Sequence, residues 1–405
     1  MLLKTLIATE ITNEHVKKIE MFLDESNGFH FDLDFLNHFL GNVDFKPLVD
    51  WILSRSSYRV VYECEDCEDQ VEFMAKEKTD HCCICGNKIE DESLHEYRTE
   101  YKLSNEDIEL LRNETIQYYE DKYLLREYEP TFELLRKERE KLIPFLGSGI
   151  SVPLGLPNWK QLLEKLSPTF AKEYHRDMYN DYTSKGDLLK ALDHLKEWSI
   201  HINTDDQLKE AIIKIIESEL QFGVDEEKHN FYDIIRLNSN LYITTNYDLC
   251  LEEFLSHTVG YRAPLCLRDI DNLRTLLEES SQVLHIHGHI KRKDTMIVSQ
   301  EDYKKLYEDS ALMFKVNSIL ANRPLLYIGF SFTDKFFVDL YTKLGKIVKN
   351  HHYIVIANPD LETARKFNKK NIKVVGLRVA ETPDGETDYN DFIMAFRTLV
   401  NYIVK

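Results

Sequence analysis

In the second half of the chain, apolar residues fall in short unbroken runs instead of alternating with polar ones. Such runs occupy residues 142–146, 241–245, 283–287, 325–328, 353–357 and 372–377. A strand exposed on one face alternates with a period of two. A strand buried on both faces does not, and parallel strands covered by helices are of that kind. Helix-like spacing fills the intervals, and residues 390–404 close the chain as a helix. Residues 157–238 read as mostly helical and separate the first run from the second. The expectation is an α/β fold: a doubly wound parallel sheet with a helical insertion after its first strand.

The first third has a different texture. Residues 7–23 and 31–53 show helix-like spacing of Leu, Ile and Phe, and 58–62 and 70–73 are short strand candidates. Ser104 with Asp107 resembles a capping box, Asp standing in for the usual Glu or Gln, and starts a helical stretch. Pro130 interrupts that stretch and 131–140 continues it, which puts a domain boundary near 140. Between and after the strand candidates lie Cys64-x2-Cys67 and Cys82-x2-Cys85, separated by 14 residues. Two tight turns that each present two thiolates make a tetrahedral S4 zinc site, so Cys64, Cys67, Cys82 and Cys85 are the expected ligands. His81 is an alternative for one thiolate, and Cys83 is a bystander. A closed site of this kind is structural and holds a small mixed domain that lacks a large core.

Charge sharpens the division. The net charge is −19, and residues 1–140 hold 17 Lys and Arg against 33 Asp and Glu, a balance of −16. Such a surface repels nucleic-acid phosphates and suits a basic protein partner, or it is simply a solvated face. At 405 residues, two or three domains are expected. No run reaches the roughly 18–20 apolar residues of a membrane span, and the first residues lack a signal-peptide pattern. The seven cysteines are an odd count. These features predict a cytoplasmic protein without a disulfide framework and without membrane contact.

Four of the apolar runs end in polar motifs: Gly147-Ser148-Gly149-Ile150-Ser151, Thr244-Thr245-Asn246-Tyr247-Asp248, His287-Gly288-His289, and Gly329-Phe330-Ser331-Phe332-Thr333-Asp334. Ligands of open α/β sheets bind beyond the carboxyl ends of the strands, so the four loops are expected to share one crevice. The first motif fails the dinucleotide fingerprint, because Val152 stands where G-x-G-x-x-G needs its third glycine. It also lacks the Gly-Lys-Ser/Thr of a P-loop. Hydride transfer is thereby disfavoured. Asn246 could equally cap the helix that follows it, and Asp334 a helix from Lys335. Alternation would put His285, His287 and His289 on one face, where each could be a structural histidine or the three a metal site.

Taken in order, Gly147-Ser148-Gly149-Ile150-Ser151, Gly155-Leu156-Pro157-Asn158-Trp159, Thr245-Asn246-Tyr247-Asp248, His287-Gly288 and Gly329-Phe330-Ser331 resemble the sirtuins. The likeness is to the prokaryotic sirtuin-like branch with Thr-Thr-Asn-Tyr-Asp and Gly-Phe-Ser, over about residues 141–360. It implies a Rossmann-like sheet that binds NAD at its carboxyl edge. By that resemblance Gly147, Ser148 and Gly149 cradle the diphosphate with Ser151 close by. Pro157 and Trp159 cover the nicotinamide ribose, and Asn246 and Asp248 flank the nicotinamide. His287 is the general base, Gly329 and Ser331 touch ribose and phosphate, and Asn358 reaches toward the adenine ribose. Protein-deacylating sirtuins carry a four-Cys module between the His-Gly and Gly-x-Ser motifs, whereas residues 288–328 here contain no Cys. Water is then the expected acceptor, which implies an NAD+ glycohydrolase similar to NAD-depleting effectors of antiphage defence. Assembly as a homo-oligomer and a HerA-type ATPase partner belong to the same expectation. Deacylation, ADP-ribosyl transfer and a non-enzymatic nucleotide-sensing subunit are the alternatives.

Overall fold

The computed structural model describes residues 2–68, 70–166, 169–272, 276–277, 281–330 and 351–405. The chain divides into two compact units, Met1–Lys122 and Tyr123–Lys405.

The first unit packs helices Asn13–Glu25, Leu33–Leu40 and Lys46–Arg55 around Ile19, Phe22, Leu36, Phe45 and Ile52, all fully buried. The helical stretch expected over 31–53 is broken at Gly41, where a Cβ would lie 2.4 Å from the Asn37 carbonyl, and resumes through a 3-10 turn, Val43–Phe45. Strands β1 (Ser57–Cys64), β2 (Phe73–Ala75) and β3 (His95–Lys102) form an antiparallel sheet in the order β2-β1-β3. Ser104 caps the next helix as expected, its Oγ accepting from Asp107 N–H at 3.1 Å and donating to Asp107 Oδ2 at 2.7 Å.

The second unit is built on a seven-stranded parallel sheet: β4 (Ile143–Leu146), β5 (Leu241–Thr244), β6 (Leu265–Cys266), β7 (Gln282–His285), β8 (Leu325–Ile328), β9 (His352–Ala357) and β10 (Ile372–Leu377). Their order is β10-β9-β8-β4-β5-β7-β6. Every residue of β4, β5 and β8 is buried, which is why these runs carry no polar alternation. From β4 the chain goes to β5 on one side, and from β8 to β9 on the other. The carboxyl ends of β4 and β8 are therefore a switch point, where doubly wound sheets open a crevice. Between β4 and β5 lie helices Trp159–Leu166, Glu173–Ser184, Leu188–Trp198, Asp205–Glu219 and Phe231–Arg236. No described helix is long and apolar enough to cross a membrane.

Candidate active site and metal centre

The loops at the switch point interlock backbone against backbone. Gly147 N–H donates to Ile328 C=O at 2.9 Å and Gly149 N–H to Gly329 C=O at 3.0 Å. A Cβ on Gly147 would stand 2.5 Å from the Gly329 carbonyl oxygen, and one on Gly329, whose φ is +73°, would stand 2.7 Å from Ile150 N. The two main chains can approach this closely only without side chains. These glycines thus serve the fit between loops, and the amides of Gly147 and Gly149 are committed there instead of being turned toward a ligand. Ser331, and Asp334 as the cap of a helix from Lys335, lie outside the described residues.

Beside this joint, Ser148, Ser151, Pro157, Trp159, Asn246 and Asp248 line one cavity together with Tyr247. Sequence motifs almost a hundred residues apart in the chain meet because β4 and β5 are hydrogen-bonded neighbours, Leu146 facing Thr244. Asn246 is buried and held from several sides. Its N–H donates to Thr244 Oγ1 at 2.9 Å, and its Nδ2 donates to Gly147 C=O at 3.1 Å and to Ser151 Oγ at 3.3 Å. A carbonyl oxygen only accepts, so the carboxamide atom facing Gly147 must be the nitrogen. Ser151 in turn donates to Asp248 Oδ2 at 3.0 Å, and Asp248 Oδ1 accepts from Cys250 N–H at 3.1 Å. Asn246 does not cap helix Cys250–Thr258: Leu249 stands at its N-cap without a side-chain bond, and Asp248, one residue earlier, accepts from the first helical N–H, that of Cys250. Ser151 links Asn246 to Asp248. Asn358 spends both ends of its carboxamide on Val379, donating to its C=O at 2.7 Å and accepting from its N–H at 3.0 Å.

His287 stands on the neighbouring strand end. Thr244 pairs with His285 across β5 and β7, so Asn246 and His287 each lie two residues past a paired position. The imidazole is almost fully buried, edge-on to Tyr303 at 5.1 Å, with Nε2 3.3 Å from Tyr307 Oη. It is not among the described residues that line the Asn246 cavity. Its backbone is tied to that cavity through Ile297, whose N–H donates to His287 C=O at 2.9 Å and whose C=O accepts from Tyr247 Oη at 2.5 Å. Tyr247 also packs edge-on against Trp159, their rings 5.7 Å apart. The three histidines do not share one environment. His285 bonds to Glu252 and to Asn246 C=O, while burial drives the His289 pKa down to about 4. They form no metal-compatible group among the described residues. Gly288, between His287 and His289, has φ +73° and breaks the strand alternation.

The first unit holds the one metal-compatible group among the described residues: Cys64, Cys82, Cys85 and His95, with ligand atoms all within 4.8 Å of one another. Three of the four expected thiolates are present. The fourth position is taken by His95, because β1 and β3 pair with Cys64 directly opposite His95. Cys67 instead packs at the edge of the small core around Val60 and Ile89, and His81 is exposed. The donor set suits zinc, since sulfur and imidazole are its tetrahedral ligands. Burial pushes the Cys82 thiol up, but the N–H groups of Cys85 and Ile84 outweigh it and bring the pKa down to about 6, which favours the ligating thiolate. His95 Nε2 lies 3.3 Å from Cys85 Sγ. A zinc held here would close β1, the Cys82–Cys85 turn and β3 into one unit and leave no open coordination position.

A family model described as a SIR2-like domain matches residues 240–375. The chain is 25% identical over 213 residues to the NAD(+) hydrolase ThsA of Cytobacillus dafuensis, which covers 51% of this chain and 40% of that protein. It is 24% identical over 233 residues to the NAD(+) hydrolase ThsA of Enterococcus faecium, covering 56% and 44%. It is 22% identical over 248 residues to the defense-associated sirtuin 2 of Bacillus subtilis, covering 58% and 23%. The match thus spans less than half the length of these curated relatives. The matched residues 240–375 run from β5, just before Asn246, into β10, and over about half of its length the chain is similar to bacterial proteins named as NAD(+) hydrolases and as a defense-associated sirtuin.

Proposed function

We propose that the protein hydrolyses the bond between nicotinamide and ribose in NAD+, releasing nicotinamide and ADP-ribose. The observation that carries this reading is the fixed carboxamide of Asn246. Both Nδ2 hydrogens are committed, to Gly147 and to Ser151, so Oδ1 is the atom offered to the cavity. An amide oxygen can accept a hydrogen from water and turn the water's lone pair toward the anomeric carbon. It adds no net charge beside an oxocarbenium-like centre, and its value lies in orientation. As the glycosidic bond breaks, its electron pair neutralises the pyridinium nitrogen. The water oxygen bonds to the anomeric carbon and its proton leaves to His287, on the adjacent strand end. Pro157 and Trp159 cover the nicotinamide side, and Ser148 faces the diphosphate.

The names of the relatives support this activity. By the same reading the chain is an NAD-depleting effector of antiphage defence that assembles as a homo-oligomer and is gated by a partner ATPase of the HerA type. The acidity of residues 1–140 suits a basic partner surface. The test is chromatography of nucleotides after mixing the full chain, with and without co-purified partners, with NAD+. Nicotinamide and ADP-ribose are expected in equal amounts, with loss of both in Asn246→Ala and His287→Ala. Undiminished release by either variant overturns its assigned role. Labelled product on an acyl peptide or on protein would establish transfer instead, and bound but intact NAD+ in every preparation would establish a sensing subunit.

A further inference from the structure

Against the main chain of Asn246, and not among the residues that line its cavity, lies a pair of buried ionisable groups that the hydrolysis scheme does not use. His285 is the last residue of β7 and its side chain has no exposed surface; Glu252 lies in the first turn of helix Cys250–Thr258 and its side chain is 6% exposed. His285 Nε2 is 2.6 Å from Glu252 Oε1, and His285 Nδ1 is 3.0 Å from the Asn246 carbonyl oxygen. We propose that His285 and Glu252 act as a positioning pair that clamps the main chain of Asn246 and thereby aims its carboxamide at the reacting centre.

The chemistry follows from the acceptors. The Asn246 carbonyl can only accept, so Nδ1 carries a proton. Nε2 and Glu252 Oε1 share one further proton across their 2.6 Å contact, and the pair is neutral overall. Burial disfavours the charged ring, but the Glu252 carboxylate outweighs it and raises the His285 pKa. Charge-assisted bonds of this kind are the shorter and stronger ones, and they hold here without solvent competition. Asn246 is consequently fixed through both peptide units that flank its Cα, its N–H by Thr244 Oγ1 and its C=O by His285. Its side chain, with both Nδ2 hydrogens engaged, has one orientation left. A metal role for His285 is excluded by the same bonds, since neither ring nitrogen keeps a free lone pair.

The proposal rests on Asn246 being the residue that orients water, and two independent readouts separate its failure from failure of that reading. The first needs no turnover: the side-chain amide resonances of Asn246 in nitrogen-15 spectra of the full chain, assigned by their loss in Asn246→Ala. They are expected to shift in His285→Phe and Glu252→Ala. In Glu252→Gln, which can donate to Nε2 and keep the proton on Nδ1, they are expected to stay close to the parent positions. The second is steady-state nicotinamide release. His285→Phe is expected to lower kcat on the order of 100-fold, the scale of a small misplacement of a catalytic group, with KM within about threefold, whereas Glu252→Gln retains most of the rate. A role in stability alone would lower the melting temperature and spare kcat of the folded fraction. Unmoved Asn246 resonances in His285→Phe, or unchanged kcat in that variant, overturn the positioning role. If the resonances shift but the unsubstituted protein releases no nicotinamide, the clamp stands and the hydrolase reading falls.

Discussion

The Cys/His centre and the crevice of the sheet both gather side chains from distant parts of the chain, by opposite means. In the first unit, strands β1 and β3 and one turn surround few fully buried side chains beyond Val60, Tyr62, Ile89 and two of the cysteines, and a metal on the Cys/His set would be the cross-link. In the second, strands buried on both faces and glycine-to-glycine backbone contact fix the loops, and no ligand is needed to hold Gly147 against Gly329. A small module with little core depends on its metal. A large parallel sheet can afford to spend side-chain hydrogen bonds on orienting one asparagine.

The sharpest way to break this contrast is to remove the metal. Chelation, or Cys82→Ser, is expected to unfold the β1–β3 module, since structural zinc contributes about 10–16 kcal/mol of apparent binding free energy in small domains. Metal analysis should fall from one zinc per chain to none and limited proteolysis should cut within residues 57–102, while the melting transition of the sheet unit persists. His95→Ala should behave likewise and Cys67→Ser should keep its zinc; the reverse pattern would restore the four-cysteine site.

In the sheet unit, Gly329→Ala places a methyl 2.7 Å from Ile150 N at φ +73° and is expected to cost about 1–3 kcal/mol in backbone strain. Gly385→Ala is the control: at φ +77° with open space around it it bears the backbone strain without the clash, and it should cost less than Gly329→Ala. Equal losses in urea melts would deny the tight fit of the two loops.

Acid should weaken the sheet unit as well. Burial holds the His352 pKa down to about 4, and its Nδ1 accepts from Leu325 N–H at 3.0 Å, so the native ring is neutral. The unfolded chain binds this proton near pH 6.5 and the native one only near pH 4. Stability from this group is therefore full above pH 6.5 and is lost as pH falls toward 4, by about 1–2 kcal/mol between pH 7 and 5. His352→Phe should flatten that part of the stability–pH curve; an unchanged slope would assign it elsewhere.

The smallest effect is expected at Tyr247→Phe, which deletes the hydroxyl that bonds Ile297 C=O. About 1 kcal/mol of stability should go, with a few-fold fall in nicotinamide release, read by melting and by steady-state kinetics. A loss as deep as that of Asn246→Ala would make Tyr247 a catalytic group in its own right.

The six long-run strands were legible because burial on both faces leaves an unbroken apolar signature. Strand β3, His95–Lys102, was not, because its residues are charged and partly exposed, and neither was the two-residue β6. With β3 unseen, His95 had no reason to be paired with Cys64, and the regular cysteine spacing pointed to Cys67. The alternation assumed for the three histidines failed because the strand ends at His285 and Gly288 turns the chain. The link from His285 to Glu252 carries no short-range signal, since a β-strand end and a helix 33 residues earlier meet only in the folded sheet.

By itself the sequence determined the order of buried strands, the helical insertion, the asymmetry of charge and the set of motifs at the strand ends, because each is a local pattern that burial or repulsion imposes on neighbouring residues. The tertiary structure alone decided which of those residues touch: His95 beside Cys64, Cys82 and Cys85, Asp248 on the Cys250 N–H, Ser151 as the link from Asn246 to Asp248, and His285 on the Asn246 carbonyl. These are contacts between strands and loops far apart in the chain, and their distances follow from sheet register, which no stretch of sequence contains.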